Sequence, residues 1–182
     1  MQRPLLHDAV TLRHFGVCHR LDICESLHAG LPSPHWTEEV QREIHEAALH
    51  GHVGSVDVAQ ATWLGSPVVP TLEDQKYIYA IQVMLNLGPG PAVGNRGESE
   101  SIYFAAKYEG IFLTDDNSAY QFAAKRLGPD RVVDTVDVLR QAQSQKLITA
   151  GEAVGIAVAI RTAGRFLRRV HPLVLDEAYF TT

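Results

Sequence analysis

The chain has little of what several protein classes require. Only two cysteines, Cys18 and Cys24, occur in 182 residues. That is too few for a disulfide framework, and Cys18, His19, Cys24 and His28 do not make the paired C-x-x-C spacing of a structural zinc site. No apolar run approaches the roughly 20 residues that span a bilayer. The opening MQRPLLHDAV lacks the apolar stretch of a secretory signal, so a soluble cytoplasmic protein is the expectation. There is no excess of positive charge either. The formal net charge of −5 argues against non-specific nucleic-acid binding through overall charge, which needs many Lys/Arg–phosphate contacts. No Gly-x-Ser-x-Gly elbow appears, and GPGPAVGNRG lacks the Lys-Ser/Thr of a phosphate-binding loop.

What is present suffices for a core. Hydrophobic residues make up 46% of the chain, which is incompatible with global disorder. Leu5 and Leu6 mark a short first strand before Asp8. Apolar spacing over 11–29 predicts a helix closed by Gly30 and Pro32. Thr37 caps a helix with Glu38 and Glu39 in its first turn and Val40, Ile44, Ala47 and Ala48 on its buried face. SVDVAQATWLGSPVVP reads as short extended pieces. Thr71 with Asp74 opens the next helix, whose apolar face is Leu72, Tyr77, Ile78, Ile81, Met84 and Leu85.

Past the Gly-rich loop, residues 97–109 predict a helix ending at Gly110, then a strand at IFLT. A helix over 117–127 ends at Gly128, and RVVD is a further strand. Thr135 is the expected cap of TVDVLRQAQSQK. Thr149 and Glu152 box the start of a last helix running through AVGIAVAIRTAGRFLRRV. Short β pieces alternating with helices predict an α/β fold, a three-layer α/β/α sandwich with a mainly parallel sheet. Residues 1–148 read as the domain and 149–182 as a C-terminal helical extension on or beside it. Arg161, Arg165, Arg168 and Arg169 form a basic stripe there, either a solvated helix end or a contact for phosphate or an acidic partner. GIAVAI before it is either core or partner surface.

Sites in open parallel sheets form at the carboxyl ends of strands. Asp8 follows the first strand, and Asp115 and Asp116 follow IFLT. Glu98 opens the helix that precedes IFLT and returns to the same edge, and Glu43 can reach in from the side. Clustered carboxylates repel one another unless a cation or protons neutralise them, and Mg²⁺ or Mn²⁺ takes such oxygen ligands. Each acid also has an ordinary role. Asp8, Asp115 and Asp116 can cap helices, Glu98 can be a dipole partner, and Glu43 can be a solvated face residue.

The stretch GESESIYFAAKYEGIFLTDDNSAYQFAAKRLG resembles the PIN domain family, best known as the toxin ribonucleases of toxin–antitoxin pairs. The resemblance extends from Asp8 to about Leu147 and leaves 149–182 unmatched. It implies a metal-dependent endoribonuclease with catalytic residues Asp8, Glu43, Glu98 and Asp116, of which Asp8, Glu98 and Asp116 hold Mg²⁺ or Mn²⁺. Glu98 and Asp116 stand eighteen residues apart, as the family's helix–turn–strand unit requires. Glu39, Glu100 and Asp115 are the neighbouring substitutes. The family usually has Thr or Ser directly after the first Asp, where this chain has Ala9 and Val10, with Thr11 later. The resemblance further implies an RNA substrate, a homodimer and an antitoxin protein as partner. A non-catalytic module on the same fold, binding nucleic acid or protein, and a nuclease acting on DNA are the competing readings.

Overall fold

The structure, a computed structural model, describes residues 3–87, 95–168 and 176–180. It is mixed α/β and mostly helical, built on a small parallel sheet of three strands in the order β1-β2-β3. The strands are β1 (Leu5–His7), β2 (Ile111–Leu113) and β3 (Val132–Val133). Their register pairs Leu6 with Phe112 and Phe112 with Val132. Because side chains alternate across a strand, Leu6, Phe112 and Val132 enter one apolar cluster while Leu5 and Leu113 enter another. Helices pack on both: α5 (Leu72–Asn86), α6 (Arg96–Lys107) and α7 (Asn117–Leu127) supply the first cluster. Residues of α1 (Ala9–Val17), α2 (Leu21–His28), α8 (Thr135–Ser144) and α9 (Ala150–Thr162) supply the second. A third cluster joins Ala9 and Leu12 of α1 to Val40 and Ile44 of α3 (Glu38–Leu49) and Val58 of α4 (Ser55–Ala59).

Several local expectations change. The helix read over 11–29 is two helices, broken at Cys18–Arg20, where His19 takes a positive φ of 51°. SVDVA is helical rather than extended. It is placed by a close approach in which a Cβ on Gly16 would lie 2.2 Å from the Gly54 carbonyl oxygen, so α1 and α4 can meet only through glycine. The Thr71–Asp74 capping box forms as read, but Leu72 is 89% exposed, and the helix buries Ile78, Ile81 and Leu85. The cap of α8 is Asp134, boxed with Asp137, because the preceding strand ends one residue earlier than RVVD implied.

The Thr149–Glu152 box forms, and α9 ends at Thr162 rather than running on, with Gly164 turning the chain at φ 73°. Ile156, Ala157 and Ile160 are buried against the sheet-side cluster while Val158 and Ala159 face outward. Arg165 and Arg168 therefore lie beyond the helix. Arg169 and most of the Gly-rich loop fall outside the described residues. No helix among the described residues is long and apolar enough to cross a membrane.

Candidate active site

Parallel pairing of β1 with β2 brings the residues after each strand to one edge. The Asp8 N–H donates to the Leu113 carbonyl at 3.1 Å, and the Thr114 N–H donates to the Val133 carbonyl at 3.0 Å, so the ladder continues one residue past the strands. Asp8 does cap α1: one carboxylate oxygen accepts from the Thr11 N–H at 2.7 Å and from the Thr11 hydroxyl at 2.8 Å. Its other oxygen accepts from the Thr114 hydroxyl at 2.5 Å. Two hydroxyls and a backbone amide thus fix the orientation of this buried carboxylate. From sequence Thr11 stands only as the later threonine after Asp8, and Thr114 only as the end of the IFLT strand. Thr11 stands three residues after Asp8 in the first turn of α1, and that capping spacing is the signal that could have identified its bond to the carboxylate.

Glu98 lies in the first turn of α6, half-buried. Glu43 points from the middle of α3 toward that turn. A Cβ on Gly97 would lie 2.8 Å from the Glu43 carboxylate, so the glycine leaves the space in which Glu43 reaches α6. The Gly97 backbone N–H serves the same carboxylate. Asp116 is exposed and caps α7, accepting from the Ala119 N–H at 2.7 Å.

These acids act on one another. Burial pushes the Asp8 carboxyl up to about 7, and the charge of Glu98 adds to the effect against the hydrogen bonds of Thr114 and Thr11. Burial likewise lifts Glu43 to about 7, with Glu39 and Asp8 adding repulsion. Glu98 rises to about 7 through burial and through the charges of Glu43, Asp116 and Glu39. Folding has therefore gathered carboxyl groups that cannot all ionise comfortably at neutral pH.

The substitute acids are otherwise engaged. Asp115 is buried beneath the edge, 3.2 Å from the His14 ring nitrogen, and its carboxylate also accepts from the Thr135 hydroxyl and the Arg168 backbone N–H. Burial would raise its pKa, but the His14 and Thr135 contacts outweigh that and hold it below the ordinary value. Glu100 is buried, ion-paired with Arg96 at 2.9 Å, and accepts from the Glu39 N–H at 3.2 Å. Glu39 itself pairs with Arg42 at 2.6 Å.

Beside the acids stands Arg13 of α1, half-buried, with its Nε buried and without a partner, and within electrostatic reach of both Glu43 and Arg165. Arg168 stacks on the Tyr120 ring at 3.5 Å and pairs with Asp134 at 2.9 Å. Part of the basic stripe is thus structural. His45, His50 and His52 are exposed.

Among the described residues no group of three or more His, Cys, Asp or Glu side chains is arranged to hold a metal ion as it stands. The interacting groups at the edge are carboxylates, the donor type that an oxygen-preferring cation takes. Asp8, Glu98 and Asp116 are the residues available to such an ion, with Glu43 beside them. No protein-family model, curated protein or solved structure matches the chain.

Proposed function

We propose that the protein is a metal-dependent endoribonuclease of PIN type, with Asp8, Glu98 and Asp116 as ligands of Mg²⁺ or Mn²⁺ and Glu43 completing the pocket directly or through water. The observation that carries the proposal is the meeting of Asp8, Glu43 and Glu98 at one sheet edge, where burial and mutual repulsion push all three carboxyls up. Asp115 and Glu100 differ in that their pairing partners are basic side chains, the His14 ring and Arg96. When bound, a divalent cation supplies charge compensation and an activated water for phosphodiester hydrolysis.

The chain's own residues do the rest. Thr11 and Thr114 hold Asp8 in one orientation, so no carboxylate rotation opposes binding. Glu43 stands beside the three proposed ligands, where its carboxylate can accept a proton from an attacking water. Arg13, half-buried and within electrostatic reach of Glu43, sets a positive charge beside the acids. The three-layer PIN sandwich, the toxin role, an antitoxin partner, a homodimer and a cytoplasmic location belong to the same proposal.

A non-catalytic nucleic-acid-binding module is favoured by one observation, the lack of a preformed set of three ligands among the described residues. Incubation of the purified protein with labelled RNA and DNA in Mn²⁺ or in chelator separates these readings. The proposal expects RNA cleavage in Mn²⁺ that is lost in Glu98→Gln and Asp116→Asn. RNA that is bound but left intact would establish the binding module, and cleavage of DNA alone would reassign the substrate.

A further inference from the structure

Helix α5 buries one apolar side and leaves another exposed. Ile78, Ile81 and Leu85 enter the cluster beneath it, while Leu72, Tyr77, Tyr79, Val83, Met84 and Leu87 face solvent. These are six of the fourteen large apolar side chains exposed among the described residues, so the exposure is concentrated on this one helix. At about 100° per residue Leu72, Lys76, Tyr79, Val83 and Leu87 share an arc of roughly 80° opposite the buried side. Leu87, the C-cap, keeps helical dihedrals and so extends the strip. An apolar strip of about 22 Å marks an interaction surface, unlike single apolar residues scattered over a surface.

The charges on the strip decide what can cover it. Between Leu72 and Leu87 the exposed charged residues are Glu73 and Lys76, which cancel, and no charged residue follows Lys76. A strongly acidic or basic partner finds no complement there. A second copy does. Each chain carries a net charge of −5, so two copies repel unless they meet through a neutral face. The strip also matches itself. Antiparallel pairing about a two-fold axis between Tyr79 and Ala80 sets Leu72 against Leu87 of the second copy and Tyr79 against its Ala80. Lys76 then meets Val83, where its stem covers apolar surface and its ammonium reaches water. The two Lys76 side chains stand about 10 Å apart along the helices and the two Glu73 side chains about 20 Å, far enough for salt to screen them.

We infer that the exposed face of α5 is a two-fold interface with a second copy of this chain, the two helices packed antiparallel. The homodimer proposed above named no face. This face is read from exposure and charge, and its test needs neither metal nor RNA, so it can fail while the nuclease reading stands. One pair of helices is a small interface, which sets the dissociation constant in the micromolar range.

Sedimentation equilibrium of the full chain in chelator, between about 1 and 200 µM, should show a reversible monomer–dimer equilibrium. Val83→Glu, at an exposed position, puts a charge on each face of the contact and should weaken dimerisation about tenfold or more, with an unchanged circular-dichroism spectrum. Leu49→Glu, on the exposed side of α3, should leave dimerisation as it is. In a Cys18→Ser background, Ala80→Cys beside the axis should form an intermolecular disulfide on oxidation. Leu72→Cys, roughly 22 Å from its copy, should not. A chain that stays monomeric throughout would overturn the inference, as would a dimer that Val83→Glu leaves unweakened. Cross-linking of Leu72→Cys as readily as Ala80→Cys would overturn it too. If Val83→Glu does not fold, the cysteine pair decides alone.

Discussion

Replacing Glu43 with glutamine removes one charge from the crowded edge while keeping the side chain's size and its ability to accept from the Gly97 N–H. In the unfolded chain Glu43 releases its proton near 4.5, whereas in the folded protein it holds it to about 7. The folded state therefore binds more protons between those values, and stability falls as pH rises through that window. The full displacement corresponds to an upper bound on the order of 3 kcal/mol above pH 7. Glu43 is only half-buried, and solvent screening reduces the usable part to about 1–2 kcal/mol. Glu43→Gln should thus raise the melting temperature by roughly 3–6 °C at pH 8 for a chain of this size. At pH 4.5 and below, where the wild-type side chain is neutral in the folded state, the gain should vanish. Circular-dichroism melts at pH 8 and pH 4.5 in chelator measure both. A variant less stable than wild type at pH 8, or one whose gain is the same at both pH values, would refute the reasoning.

Other substitutions separate site from scaffold. Asp115→Asn takes the charge from a buried carboxylate held by His14, Thr135 and the Arg168 amide. It should cost about 3 kcal/mol or more by urea denaturation, with or without divalent ions. Asp116→Asn keeps a good helix cap on an exposed side chain, so stability should change by less than about 0.5 kcal/mol while RNA cleavage is lost. Gly16→Ala drives a Cβ into the Gly54 backbone. It should cost roughly 2–4 kcal/mol and separate α1 from α4, seen as a lowered denaturation midpoint and faster amide exchange in both helices.

The elements that could be read from sequence were those with local signatures. The Thr71–Asp74 and Thr149–Glu152 boxes, the Gly128 stop and the strand at Ile111–Leu113 are written in neighbouring residues. The convergence of Asp8 with the acids after β2 was legible too, because it needs only parallel strands. What sequence could not supply depends on tertiary contacts. The break at Cys18–Arg20 and the helical state of SVDVA flank the Gly16–Gly54 approach between segments remote in the chain. The choice of Glu98 and Asp116 over Glu100 and Asp115 as the available acids becomes physical only when Arg96 and His14 are seen to occupy the latter.

The central claim, the proposal that the carboxylates of Asp8, Glu43 and Glu98 share one edge and can take a divalent cation, is most directly tested by ¹³C NMR titration of these side chains with and without Mg²⁺. The account predicts midpoints near 7 in chelator, falling below about 5 in saturating Mg²⁺ as the ion competes with protons. Midpoints of about 4 in chelator, or midpoints that Mg²⁺ leaves unmoved, would contradict it.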